Sequence, residues 1–259
     1  MMSQFTDKIV LVTGSGRGIG REIALRFAQE GAHVIINFFR NRQPAEETAV
    51  EIRKLGRQAI VVKANVGDLD HLTHLYQEID AHFGGLDILI HNAASGYNRP
   101  AMEQKLRGWE WTMNINARSL LFGAQHALPL MKKRGGGAIV AVSSMGSTRV
   151  LEEYSVVGTS KAALEALVRY LGVELAPENV VVNAVSPGIV RTDALQHFDT
   201  FREGGSDLLN QVIESTPIGR LCTPADVADV VCFLCSPAAK MICGQTIIVD
   251  GGHSLLMRQ

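Results

Sequence analysis

A glycine-rich loop, Thr13-Gly14-Ser15-Gly16-Arg17-Gly18-Ile19-Gly20, follows the first apolar run of the chain and leads into a helical pattern. Glycines at such a turn let the backbone bend tightly and approach a pyrophosphate, which then rests against the helix N-terminus. The strict G-x-G-x-x-G spacing is absent. The pattern is T-G-x-x-x-G-x-G, and its place between strand and helix is what gives it meaning. The end of the second apolar run would meet the adenine ribose. An acid there would accept from the 2′-hydroxyl of NAD and repel a 2′-phosphate. That run ends Ile36-Asn37-Phe38-Phe39-Arg40, without an acid. Arg17 and Arg40 carry forked donors suited to a 2′-phosphate. These residues predict NADPH as the cofactor.

The four cysteines are Cys222, Cys232, Cys235 and Cys243. Cys232 and Cys235 have the C-x-x-C spacing of redox and metal sites. They stand in an apolar helical stretch with no second such pair and no flanking histidines, so they read as packed free thiols. No cluster of His, Cys and carboxylates has ligand spacing, and no metal is expected.

Apolar, β-branched runs alternate with helical patterns along the whole chain. The expected strands are Lys8–Thr13, His33–Asn37, Gln58–Lys63, Leu86–His91, Ala138–Ser143, Val180–Ser186 and Gln245–Val249. Leu72, Leu75, Tyr76, Ile79 and Phe83 keep helical spacing, as do Leu164, Leu167, Val168, Leu171 and Leu175. Thr223-Pro224-Ala225-Asp226 reads as a capped helix start. This alternation predicts an α/β fold of the Rossmann type, a doubly wound, seven-stranded parallel sheet with helices on both faces. No linker or composition shift divides it, so residues 1–259 read as a single dinucleotide-binding and catalytic domain. The polar, glycine-containing stretch 193–216 follows the sixth strand, at the end of the sheet where ligands bind, and reads as a substrate lid.

The chain has 259 residues, 46% hydrophobic and 20% charged, with a net charge of −1. That balance offers no broad attraction to nucleic acid or to a membrane surface. The N-terminus lacks the basic start and apolar run of a signal peptide, and no apolar stretch reaches spanning length. A cytoplasmic protein is expected.

The chain resembles the short-chain dehydrogenase/reductase family over nearly its whole length. The glycine loop matches. His91-Asn92-Ala93-Ala94 resembles the family's N-N-A-G, departing at both ends. Asn116, within Asn114-Ile115-Asn116-Ala117, matches the asparagine that holds a water in the family's proton relay. Pro187, Gly188, Ile189 and Thr192 resemble the stretch that grips the nicotinamide carboxamide. Asn65-Val66 resembles the D-V pair beside the adenine, and Val249-Asp250-Gly251-Gly252 resembles the C-terminal signature.

The common Y-x-x-x-K is missing, because the position four before Lys161 is Val157. The nearest tyrosine is Tyr154, seven before the lysine, or about two turns along one helix face. This Y-x6-K arrangement resembles the enoyl-acyl-carrier-protein reductases of the family, most closely the NADPH-dependent FabL type. Ser144, ten residues before Tyr154, stands where the better-known FabI type has a second tyrosine. The resemblance implies that Lys161 holds the nicotinamide ribose hydroxyls and favours the tyrosinate. It implies that Tyr154 stabilises the enolate oxygen, and that acyl carrier protein delivers the substrate to a homotetramer in fatty-acid biosynthesis. A 3-oxoacyl or other ketone reductase and a catalytically silent NADPH-binding protein stay open as alternatives.

Overall fold

The computed structural model describes residues 4–191 and 205–256. Seven strands form one parallel sheet: β1 (Ile9–Val12), β2 (His33–Phe38), β3 (Ala59–Lys63), β4 (Ile88–His91), β5 (Gly137–Val142), β6 (Val180–Pro187) and β7 (Thr246–Val249). Their order is β3-β2-β1-β4-β5-β6-β7. All seven expected strands are present, with ends displaced by one or two residues. Connections run from β1 outward to β3, then return to β4 on the other side of β1. The reversal opens a crevice at the carboxyl ends of β1 and β4, where an open α/β sheet binds its ligand.

Alternation along each strand divides the core. Val10 and Val12 of β1 face one layer, together with Ile23 and Phe27 of α1 (Gly18–Gln29), α2 (Arg42–Lys54) and α8 (Pro224–Leu234). Ile9 and Leu11 face the other, against α3 (Leu69–Phe83), α5 (Ser119–Lys132) and α6 (Ser155–Leu175). Period-2 side chains thus feed two hydrophobic layers from one sheet. Each large side chain fully buried there contributes roughly 1.5–3 kcal/mol. The remaining helices are α4 (Leu106–Met113) and α7 (Gly205–Glu214).

Helix α8 starts as its sequence indicates. Thr223 Oγ1 accepts from Asp226 N, and Asp226 accepts in return from Thr223 N. Cys232 lies on this helix and Cys235 caps its end. Burial pushes the Cys232 thiol up to about 12 and Cys235 well above the ordinary range, which leaves both as poor nucleophiles. Among the described residues no group of three or more His, Cys, Asp or Glu side chains could hold a metal ion, and no helix is long and apolar enough to cross a membrane. Of the stretch 193–216, residues 193–204 lie outside the described residues. Its remainder forms α7 and the turn after it, where Val212 and Thr216 are buried.

Candidate active site

The glycine loop bends through positive φ at Gly14 (64°) and Gly18 (56°), conformations costly to any side chain with a Cβ. The loop is braced from beneath. Ser15 Oγ donates to Val12 O at 2.7 Å and accepts from Asn37 N at 3.2 Å. Asn37 Oδ1 accepts from Gly14 N, and its Nδ2 donates to Ala64 O at 3.0 Å. From β4, Asn92 Nδ2 donates to Thr13 O and Gly14 O, while the amides of Asn92 and Ala93 both donate to Thr13 Oγ1. The side chains of Ser15 and Asn92 are therefore committed to the loop itself, and Gly20 packs directly under Asn92.

Above this brace α1 begins at Gly18. Its N-cap residue, Arg17, makes no side-chain cap, and its first turn holds no acid. A helix start left uncapped in this way presents free N–H groups and the positive end of its dipole, the arrangement that fits a pyrophosphate. Ile19 packs partly into the core and Gly16 lies against the start of α2. Arg17 and Arg40 are exposed. On β3's side Val66 is buried, and Asn65 Oδ1 accepts from Gly67 N at 3.1 Å. On β6's side Pro187 is buried and Gly188 N donates to Val249 O at 2.9 Å, with half-buried Ile189 next. Thr192 lies outside the described residues.

The catalytic candidates meet at the carboxyl end of β5. Lys161, on α6, is 4% exposed and donates through Nζ to Val142 O at 2.6 Å. Burial pulls its ammonium down to about 8, and the Glu165 carboxylate works against that shift. Ser144 follows β5 and caps a 3-10 turn (Met145–Ser147), accepting from Gly146 N. Tyr154 Oη donates toward Ser144 Oγ at 3.5 Å.

Two expectations need correction. Tyr154 is not two turns up the helix from Lys161: α6 begins at Ser155 and Tyr154 is its N-cap, with φ −98° and ψ 12°, after Glu153 in the left-handed region at φ 56°. The tyrosinate is not favoured either. Burial raises the Tyr154 hydroxyl above its ordinary value and the Ser144 hydrogen bond only partly offsets this, so the side chain is a neutral phenol. The Asn116 side chain is bonded within the protein. Its Oδ1 accepts from Ser95 N, and its Nδ2 donates to Ser95 O and Ser160 Oγ, each within 2.9 Å. Asn116 lies in a π-turn (Asn114–Arg118), a local underwinding common at functional sites.

Two buried groups escaped the sequence reading. His91, at the end of β4, is 2% exposed; its Nε2 lies 2.7 Å from Ser119 Oγ. Ser119 spends its own hydrogen on Ile115 O, so Nε2 carries the proton, and Nδ1 has no partner among the described residues. Burial and the Lys161 charge drive the imidazole down to about 3. Glu165 is buried and accepts two serine hydroxyls. Only their apolar neighbourhoods, within strand and helix patterns, mark either residue in the sequence.

A doubly wound sheet with an uncapped glycine loop, and with a phenol, a hydroxyl and a buried amine beside its crevice, defines a Rossmann-type oxidoreductase. The chain belongs to the short-chain dehydrogenase/reductase family. The family model described as "Enoyl-(Acyl carrier protein) reductase" matches residues 14–254. The chain is 36% identical over 249 residues to 1-cyclohexenylcarbonyl-CoA reductase of Streptomyces collinus, covering 96% of this chain and 88% of that one. It superposes on 7α-hydroxysteroid dehydrogenase complexed with NADH and 7-oxo glycochenodeoxycholic acid with a TM-score of 0.91, at 33% identity over 97% of this chain and 96% of the other. The L-sorbose reductase of Gluconobacter frateurii, complexed with NADPH and L-sorbose, gives a TM-score of 0.91 at 29% identity, over 99% of this chain and 100% of that one.

Proposed function

We propose that this chain uses NADPH to reduce the conjugated double bond of trans-2-enoyl thioesters, as an enoyl-acyl-carrier-protein reductase of fatty-acid biosynthesis. The observation that carries this reading is the exchange of positions between valine and tyrosine. Val157, four residues before Lys161, is buried against Gly96 and has no proton to give. The phenol stands instead at Tyr154, beyond the first turn of α6 and beside Ser144.

A bound dihydronicotinamide supplies the hydride. In a ketone, the carbon that gains hydride also bears the oxygen that gains the proton, so the donor must stand close to that carbon. In an enoyl thioester the β-carbon gains hydride while charge collects on the carbonyl oxygen two carbons away. The stabilising hydroxyl must then stand further out, as Tyr154 does relative to position 157. A neutral phenol is the form that donates a hydrogen bond to the developing enolate oxygen. The Lys161 ammonium has three hydrogens; one goes to Val142 O, and the other two are available to ribose hydroxyls. The α-carbon then takes a proton from solvent water, which completes the reduction and leaves Tyr154 a neutral phenol.

The description of the matching family model supports this reading, as does the Streptomyces relative, whose name describes a conjugated enoyl thioester. The hydroxysteroid dehydrogenase and sorbose reductase favour a second reading, reduction of a ketone. Following NADPH absorbance with crotonyl and acetoacetyl thioesters separates them. The proposal expects turnover of the crotonyl thioester and little of the acetoacetyl one. The reverse preference supports ketone reduction, and inertness toward both supports a silent NADPH-binding protein.

The preference for NADPH is assigned to Arg17 and Arg40. Replacing both by alanine should weaken NADPH binding by about tenfold or more, the order of a lost charge-assisted pair, and leave NADH binding nearly unchanged. Equal losses for both cofactors would count against the assignment. Acyl carrier protein is proposed as the bearer of the substrate, and the homotetramer of the family as the working assembly.

A further inference from the structure

Helix α6 carries a second buried ionisable side chain that the chemistry above leaves idle. Glu165 follows Lys161 by four residues, so the two share one helix face a turn apart. Glu165 is 8% exposed. A buried carboxylate is costly unless its oxygens are bonded. Here a single oxygen, Oε1, accepts Ser143 Oγ at 2.5 Å and Ser147 Oγ at 2.6 Å.

The segment between those two donors is the one that matters to the site. It contains Ser144, the partner of the Tyr154 hydroxyl, and Gly146, which lies under the Tyr154 ring. A Cβ placed on Gly146 would fall 2.6 Å from Tyr154 Cδ1. One carboxylate thus bonds the turn that faces the phenol and stands one helix turn from the amine.

We propose that Glu165 is a positioning residue that pins, through Ser143 and Ser147, the turn that aligns Ser144 with Tyr154, and that sets its carboxylate one helix turn from the Lys161 amine. This inference rests on the roles given above to Lys161 and Tyr154. The other groups facing Lys161 do not substitute for it. His91 on β4 is neutral at physiological pH, and Val142 on β5 offers only a carbonyl dipole. Glu165 is the charge that opposes the desolvation of Lys161.

Glu165→Gln keeps an oxygen for both serines and removes the charge. In protein labelled with carbon-13 at lysine Cε, the Lys161 signal is assigned by its loss in Lys161→Arg and reports the titration without cofactor. Glu165→Gln should lower the pH at which Lys161 titrates by about one unit or more, the scale of losing a close opposite charge. NADPH affinity, read by fluorescence titration, should then fall at correspondingly lower pH than in the wild type. Ser147→Ala removes one of the two donors. It should move the Lys161 titration the same way by less, and lower kcat for crotonyl-CoA with the NADPH KM at pH 7 nearly unchanged. An unmoved Lys161 titration in whichever of these variants folds, judged by circular dichroism, overturns the proposal. A wild-type protein that binds no NADPH, or prefers acetoacetyl-CoA, refutes the functional reading instead, and the Lys161 titration still decides the role of Glu165.

Discussion

The Tyr154 hydroxyl faces another hydroxyl, Ser144 Oγ, and burial keeps it protonated. Such a phenol donates to a developing oxyanion and needs no base to activate it. Tyr154→Phe removes that donor with little change in packing. It should lower kcat for crotonyl thioesters by roughly a hundredfold or more, the scale of one lost oxyanion-hole donor. Steady-state kinetics beside an unchanged melting temperature would check this, and a variant with full activity would refute it. His91 makes the opposite demand. Its imidazole is held neutral, with a pKa near 3 in the folded chain against an ordinary 6.5. The unfolded chain therefore binds more protons between those values. The stability this group contributes is complete above pH 6.5 and is lost as pH falls toward 3. Lowering the pH from 7 to 5 should cost about 2 kcal/mol through His91 alone. His91→Gln, which keeps a donor for Ser119, should flatten that acid limb in urea unfolding. Curves of equal steepness would show that some other group controls it.

The elements show why such residues are hard to read from a sequence. The strands were legible because parallel strands buried on both faces leave long apolar, β-branched runs. The glycine loop was legible because its place between β1 and α1 is as informative as its glycines. The geometry of Tyr154 was not, because seven residues before Lys161 describes a helix only if the helix extends that far. The left-handed Glu153 ends the loop and α6 starts one residue after Tyr154. The π-turn at Asn114–Arg118 has no propensity signature, so the committed side chain of Asn116 could not be foreseen. Glu165 looked like an ordinary helix residue because its serine partners arrive from a turn about 20 positions earlier in the chain. Gly20 tests the element-level account of the loop. A Cβ there would meet Asn92 Nδ2 and would lie 2.6 Å from Gly14 O. Gly20→Ala should therefore cost about 1–3 kcal/mol, the usual scale of overpacking, and displace the amide that ties β4 to the loop. NADPH affinity should fall with stability, as thermal unfolding with and without NADPH would reveal. Tight NADPH binding in this variant would mean that the Asn92 brace is dispensable.

At the scale of the whole molecule, a net charge of −1 gives no general pull on an acidic carrier, so any attraction has to be local. Lys105 and Arg107 are exposed at the start of α4, and Arg191 is exposed after β6. Arg99 is half-buried over the Tyr97 ring, and its amide is bonded to Glu153 O, beside Tyr154. The sheet topology sends the connections after β4 and β6, which carry these cations, out from the carboxyl end of the sheet, where the crevice opens. Complementary charge at a rim acts mainly on encounter and is screened by salt within about 8–10 Å at physiological ionic strength. A carrier-bound substrate should therefore feel these residues more strongly than the same acyl group on coenzyme A. The double substitution Lys105→Glu and Arg107→Glu should raise KM for crotonyl-acyl-carrier protein by roughly tenfold at low salt, the order expected for two lost rim attractions turned repulsive. The defect should shrink as salt is added, with kcat unchanged and crotonyl-CoA much less affected. Equal effects on both thioesters would trace the change to the substrate pocket. An unchanged KM for the carrier-bound substrate would place the carrier on another face.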